Sequence, residues 1–206
     1  MGSERGRAAL LVVDVQYDFL PGGALGVPEG DAILPKVNRA VEVFARRGLP
    51  VVATRDWHPP ETRHFKTYGG AWPAHCVQGT KGARFHKGLK LPRGALVVSK
   101  GMDPEEDSYS AFQAFTDQGR DLESVLREKG VDEVFIAGLA TDYCVRASAI
   151  DAVKRGFRVR VLKDAIRGVD VKPGDSEIAV REMRAVGAQF TETRSLGGLL
   201  TAAKTK

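Results

Sequence analysis

Short runs of apolar, largely β-branched residues recur along this chain with helix-period patterns between them, and that alternation constrains the fold more than any other feature. LLVV at 10–13, VVAT at 51–54, LVV at 96–98 and VFIAG at 134–138 are too short for buried helices. Nor do they alternate with polar residues, as a half-solvated strand would. Continuous apolar strands of this kind belong to a parallel sheet covered by helices on both faces. The pattern predicts strands over 8–13, 49–54, 95–99, 131–137, 158–162 and 188–191 and helices over 33–47, 122–129, 145–155 and 176–185. Gly48, Gly130, Gly156 and Gly187 stand where helices stop. The expected class is α/β, a three-layer doubly wound fold on a parallel sheet.

At roughly 150 residues per domain, 206 residues read as a single domain over 1–206. Hydrophobic content of 43% and charged content of 28% exclude a disordered or collagenous chain. Two cysteines exclude a disulfide scaffold and fit a reducing compartment. The apolar run at 8–13 falls far short of the roughly 18 residues of a membrane helix. Arg5 and Arg7 precede it as they would in a signal peptide, but the run is too short and no small-residue cleavage site follows. A cytoplasmic chain without a membrane partner is expected. The net charge of +5 invites a nucleic-acid reading, yet such a footprint interleaves clustered basic residues with aromatics, and no nucleic-acid partner is expected.

Between the second and third strands, residues 57–93 lose the periodic pattern and are rich in Pro, Gly and aromatics. All four histidines, at 58, 64, 75 and 86, fall there. Long irregular stretches inside compact domains are usually functional. In open parallel sheets ligands gather at the carboxyl ends of the strands. Asp14 ends the first strand, Asp56 and His58 follow the second, Lys100 ends the third, and Cys144 sits just past the fourth. One site is the economical explanation.

Cys144 lies in GLATDYCVRASAI, where a strand gives way to a helix near Thr141 or Asp142. In the first helical turn, free N–H groups and the dipole would lower a thiol's pKa from about 8.5, which suits a nucleophile. A small buried filler suits the same place, and the residue alone does not separate the two. A cysteine nucleophile needs a base for its proton and a cation to hold that base. Asp14 and Lys100, each closing an apolar strand at the same edge, supply one of each.

Asp56 and His58, two apart in an extended segment, face one point. With His64 and His75 they form a carboxylate-imidazole set suited to zinc, manganese or iron(II). Ordinary loop hydrogen bonds would also account for these histidines. His86 reads as a surface residue and Cys76 as packing. Phe19 and Trp72 lie near these groups and suit either stacking on a flat ring or the core.

The segments VVDVQYDF, TRDWHP, WPAHCVQGTKGA, SKG, DSYSAF and GLATDYCV, in this order and spacing, resemble the nicotinamidases (pyrazinamidases) of the isochorismatase-like cysteine hydrolase superfamily, over about residues 8–190. The resemblance implies a six-stranded parallel sheet of order 3-2-1-4-5-6 and an Asp14-Lys100-Cys144 triad. It implies one divalent transition metal on Asp56, His58 and His75, joined in some members by His64. It implies a cis peptide at Leu139-Ala140 with the Ala140 and Cys144 amides as oxyanion donors, and Phe19 and Trp72 flanking a pyridine ring. The implied reaction is hydrolysis of nicotinamide, and of pyrazinamide, to the acid and ammonia in NAD salvage. The implied partner is a small-molecule amide, and a homo-oligomer is compatible with it. Two positions depart from the commoner pattern: Tyr17 stands where Asn is frequent, and Lys66 where a small hydroxyl is usual. Three alternatives stand beside this reading. They are a hydrolase whose metal activates the water and whose Cys144 is structural, a binding domain without catalysis, and a metal-poor relative acting on another small amide.

Overall fold

The computed structural model describes residues 7–200, so Arg5 lies outside the described residues. Strands β1 (Arg7–Val13), β2 (Val51–Asp56), β3 (Leu96–Lys100), β4 (Val131–Leu139), β5 (Arg158–Arg167) and β6 (Gln189–Thr191) form one sheet in the order β3-β2-β1-β4-β5-β6. Every neighbouring pair is parallel. The principal helices are α1 (Leu34–Arg46), α2 (Leu122–Glu128), α3 (Arg146–Lys154) and α4 (Asp175–Ala185). Among the described residues no helix is long and apolar enough to cross a membrane.

The period of two in β1 sorts the core. Ala9, Leu11 and Val13 face one side and pack with Leu122, Leu126, Ala149 and Met183 from α2, α3 and α4. Ala8, Leu10 and Val12 face the other and pack with Val37, Ala40, Val41 and Phe44 from α1. Pro35 near the start of α1 costs no hydrogen bond there, and the three- and four-residue spacing of its apolar side chains puts one stripe on the sheet. Phe44 meets Phe135 of β4 edge to face, centroids 5.3 Å apart. Truncating a buried Phe of this kind costs about 3–5 kcal/mol.

Three boundaries differ from expectation in ways that bear on the site, and the others shift by no more than two residues. Strand β2 starts at Val51 and runs to Asp56, so Asp56 is its last residue rather than the start of the loop. Strand β5 continues to Arg167, past a register break after which Ile166 and Arg167 pair with Gly138 and Leu139. Its polar stretch LysAspAla hid that continuation. No regular helix starts at Thr141, because Thr141–Val145 form a π-helical turn and α3 begins at Arg146. The strand order reverses between β1 and β4, the switch point at which α/β sheets open a crevice beyond their carboxyl ends.

Candidate active site

Asp14 follows β1 in a left-handed backbone conformation (φ 49°). Such a φ is uncommon outside glycine and tends to persist where the surroundings over-determine it. Its Oδ1 accepts a hydrogen bond from Thr54 Oγ1 at 2.6 Å. Its Oδ2 lies 2.9 Å from Lys100 Nζ. Lys100 also binds Asp56 Oδ1, and its Nζ is 3.5 Å from Cys144 Sγ. Acceptor atoms of Asp14 and Asp56 and the sulfur of Cys144 all lie within 4.8 Å of one another. The structure thus brings together the three side chains read from three strand ends, with Asp56 as a fourth member.

One ammonium among two buried carboxylates leaves surplus negative charge, and the two acids divide it unequally. Burial raises the Asp14 pKa, and Lys100 and Thr54 do not offset it, so Asp14 lies above the usual carboxylate value. Burial opposes the Asp56 charge too, but there Lys100 and His58 win and hold it well below. Lys100 is disfavoured by burial yet held well above the usual lysine value by Asp14 and Asp56. Asp14 is therefore the carboxylate that takes up a proton more readily, a property that would suit a group accepting a proton and later releasing it. The expected lowering of the Cys144 pKa is overturned: burial pushes the thiol well up, and Lys100 does not compensate. The π turn gives the sulfur a dry surrounding rather than the solvated end of a helix. Its proton has to be taken by a neighbour.

The histidines gather beside this group. His58 Nδ1 faces the Gly101 carbonyl at 3.0 Å, His75 Nδ1 the Pro73 carbonyl at 2.8 Å and His64 Nδ1 the Asp107 carboxylate at 2.5 Å. A carbonyl or carboxylate oxygen only accepts, so each Nδ1 carries a hydrogen and each Nε2 is the nitrogen left to face a metal. One ring nitrogen of each lies within 4.8 Å of the others. Asp56 Oδ2 is 3.7 Å from His58 Nε2 and 3.9 Å from His75 Nε2. His58 Nε2 is buried without a hydrogen-bond partner among the described residues. Burial also holds His75 down, to about 4, and so neutral near pH 7 as a ligand must be. Three imidazoles oriented through their Nδ1 atoms and a carboxylate make a donor set that fits a divalent transition metal. His64 joins this cluster, and Lys66 is exposed.

A cavity of about 290 Å³ lies over both groups. Cys144 lines it, whereas Asp14 and Lys100 do not. His64 and His75 line it as well, with Phe19, Trp72 and Ala140. The Leu139-Ala140 peptide is cis. Cys76 is buried and unpaired, and half-buried His86 lies outside the cavity, its Nδ1 accepting from the Gly88 N–H.

Sequence reasoning left several contributors without a role. Gln16 is buried between strands, its side chain bonding the Asp56 N–H and C=O at 2.8 Å each and the Ala83 carbonyl at 2.9 Å. Tyr109 and Tyr143 complete an aromatic wall, with Trp72 Nε1 donating to Tyr109 Oη at 2.9 Å. Asp142 caps the Val169 and Asp170 amides and so ties the π turn to another cavity-lining segment. Polar residues inside apolar motifs, such as Gln16 in VVDVQYDF, were the available signal. Gly101 also lacked a role: its φ is 67°, and a Cβ there would come within 2.4 Å of the His58 ring.

The sequence matches the isochorismatase domain over residues 8–195. It is 42% identical over 199 residues to a nicotinamidase of Escherichia coli (strain K12), covering 87% of this chain and 92% of that protein. The fold is similar to the crystal structure of the pyrazinamidase of Pyrococcus horikoshii in complex with zinc. That likeness has a TM-score of 0.83 and 49% identity, covering 90% of this chain and 99% of that one. It is also similar to the crystal structure of PnC1 from L. infantum in complex with nicotinate, with a TM-score of 0.80 and 37% identity, covering 92% and 94%.

Proposed function

The chain belongs to the isochorismatase family, and from that premise we propose that it hydrolyses nicotinamide to nicotinate and ammonia through a thioester on Cys144. The observation that carries this reading is the meeting of Cys144, Lys100 and Asp14 beneath a small cavity whose walls are aromatic. That volume lies at the lower end of the range for small-molecule sites. The related E. coli and P. horikoshii proteins, a nicotinamidase and a zinc-bound pyrazinamidase, support the same substrates here.

Phe19 and Trp72 flank the pyridine ring and bring the carboxamide carbon to Cys144. The sulfur attacks that carbon as its proton passes to Asp14. The oxyanion lies against the Ala140 and Cys144 amides, donors typically worth about 10²–10³ each in rate. As the C–N bond breaks, Asp14 returns the proton to the leaving nitrogen, giving ammonia and a thioester. Asp14 then takes a proton from water as the water attacks the thioester and passes that proton to the departing sulfur, which releases the acid and restores both the thiol and the carboxylate. Throughout, Lys100 keeps Asp14 in place and balances its charge.

Asp56, His58, His64 and His75 are assigned to one divalent metal, whether zinc, manganese or iron. Such an ion supplies a fixed positive charge that orients the heteroaromatic ring. The three free imidazole nitrogens disfavour the metal-poor alternative. Both cysteines are free, as in a reducing compartment, and the reaction is read as a cytoplasmic step of NAD salvage.

Ammonia release across a panel of small amides, with and without a chelator, tests this. Nicotinamide and pyrazinamide should give ammonia and acid in equal amounts, chelation should suppress turnover, and added metal should restore it. Turnover confined to aliphatic amides would overturn the substrate assignment, and failure to trap acyl-Cys144 with wild-type rates in Cys144→Ala would overturn the mechanism.

A further inference from the structure

We propose that Asp107 is a positioning residue for the metal centre: it orients His64 as a fourth protein ligand and thereby sets metal affinity. The inference rests on the metal assignment above. For His58 and His75 the group that fixes the ring is a main-chain carbonyl, Gly101 or Pro73. His64 differs. Its Nδ1 is held by a carboxylate distant in sequence, and although the imidazole is 5% exposed, Asp107 is 61% exposed. A hydrogen bond to a carboxylate is shorter and stronger than one to a neutral oxygen, and it raises the basicity of the nitrogen that faces the metal.

The backbone around this pair is built to deliver it. The Arg63 N–H donates to the Pro104 carbonyl at 2.9 Å, and Thr62 Oγ1 donates to the same carbonyl at 3.1 Å. The His64 N–H faces Thr62 Oγ1 at 3.2 Å, and Arg63 pairs with Glu105 at 3.0 Å. Residues 104–107 thus grip residues 62–64 along their length and end on the imidazole. Beyond Asp107, Ser110 and Gln113 form a capping box that anchors the far side of the strap. Ligand orientation at His64 is accordingly supplied from the rim of the cleft, unlike that of the other two histidines.

The test is zinc affinity of the metal-stripped full chain by competition with a chromogenic chelator, paired with absorption spectra of the cobalt(II) form. Asp107→Ala should weaken zinc binding about 10–100-fold, and its cobalt spectrum should shift towards that of His64→Ala. Asp107→Asn keeps an acceptor oxygen without the charge and should fall between Asp107→Ala and the parent. Glu105→Gln loosens the same strap without touching His64 and should bind zinc as the parent does. Wild-type affinity and spectrum in Asp107→Ala would overturn the inference, as would an Asn variant no better than Ala or a Glu105→Gln loss equal to that of Asp107→Ala. If the parent chain itself fails to bind zinc or cobalt, the metal assignment falls instead.

Discussion

The two halves of the cleft reach similar precision by different means. Asp14 and Lys100 stand at strand ends, and Cys144 sits in the turn that leaves β4, so the sheet ladder places all three directly. The histidines stand on irregular chain between Trp57 and Val77, placed by polar cross-links. The Gly101 carbonyl faces the His58 ring, Asp18 accepts from the Cys76 N–H at 2.7 Å beside His75, and Asp107 holds His64. A ladder position survives the loss of one hydrogen bond, whereas a loop position depends on each. The half that holds Cys144 should therefore be most sensitive to changes of charge, and the histidine half to changes of shape and hydrogen bonding.

The sharpest way to break that contrast is Cys144→Ala, expected to lower turnover by about 10⁴-fold or more while zinc affinity stays at the parental value. Parallel kinetics and metal titration check it. Next is Lys100→Met, which strips the ammonium from two buried carboxylates. Removing one partner of a buried ion pair costs about 3–5 kcal/mol, so urea unfolding should show a loss of that order together with the loss of activity. Gly101→Ala places a Cβ against the His58 ring at a positive φ, and strain of this kind costs about 1–3 kcal/mol. It should weaken zinc binding more than it perturbs acylation by a reactive thioester-forming substrate. Thr54→Val removes the hydroxyl that holds Asp14. A buried acceptor left unpaired costs about 1–3 kcal/mol, and kcat should fall while zinc affinity does not.

The smallest effect calibrates the rest. Asp121 caps α2 by accepting from the Ser124 N–H at 2.8 Å. Asp121→Ala should cost about 1 kcal/mol with neither activity nor metal binding changed. The Ser124 side-chain hydrogen bond, with that from its backbone, lowers the Asp121 pKa. A depressed carboxylate stabilises the fold above its unfolded pKa of about 3.9 and loses that contribution as pH falls through the folded value. The difference between parent and variant should thus shrink under acid, which thermal melts across pH would register.

Much of this architecture was legible because strand-end chemistry needs little more than a count of apolar runs. Asp14, Lys100 and Cys144 each terminate or follow a continuous run, and the doubly wound order directs such ends to one crevice. The boundaries of β2 and β5 were less legible, since Arg55 looks like a loop residue until Ser99 pairs with it, and residues 163–165 fall in the register break before Ile166 pairs with Gly138. The thiol's environment was misjudged because a helix N-terminus was assumed where a buried π turn forms. Asp107 and Gln16 went without roles for another reason. Their function is a hydrogen bond to a residue some forty positions away, and a sequence displays no such pairing until the chain is folded.

Lys100 and Gly101 offer a lesson for redesign. The ammonium of one lies 3.5 Å from the Cys144 sulfur, while the carbonyl of the other faces the His58 Nδ1 at 3.0 Å. The two halves are consequently indexed from a single dipeptide. A slip of one residue at the tip of β3 would send that ammonium to the opposite sheet face and carry the imidazole's anchor with it. Libraries seeking new ring specificities should leave this tip alone and diversify the aromatic wall instead.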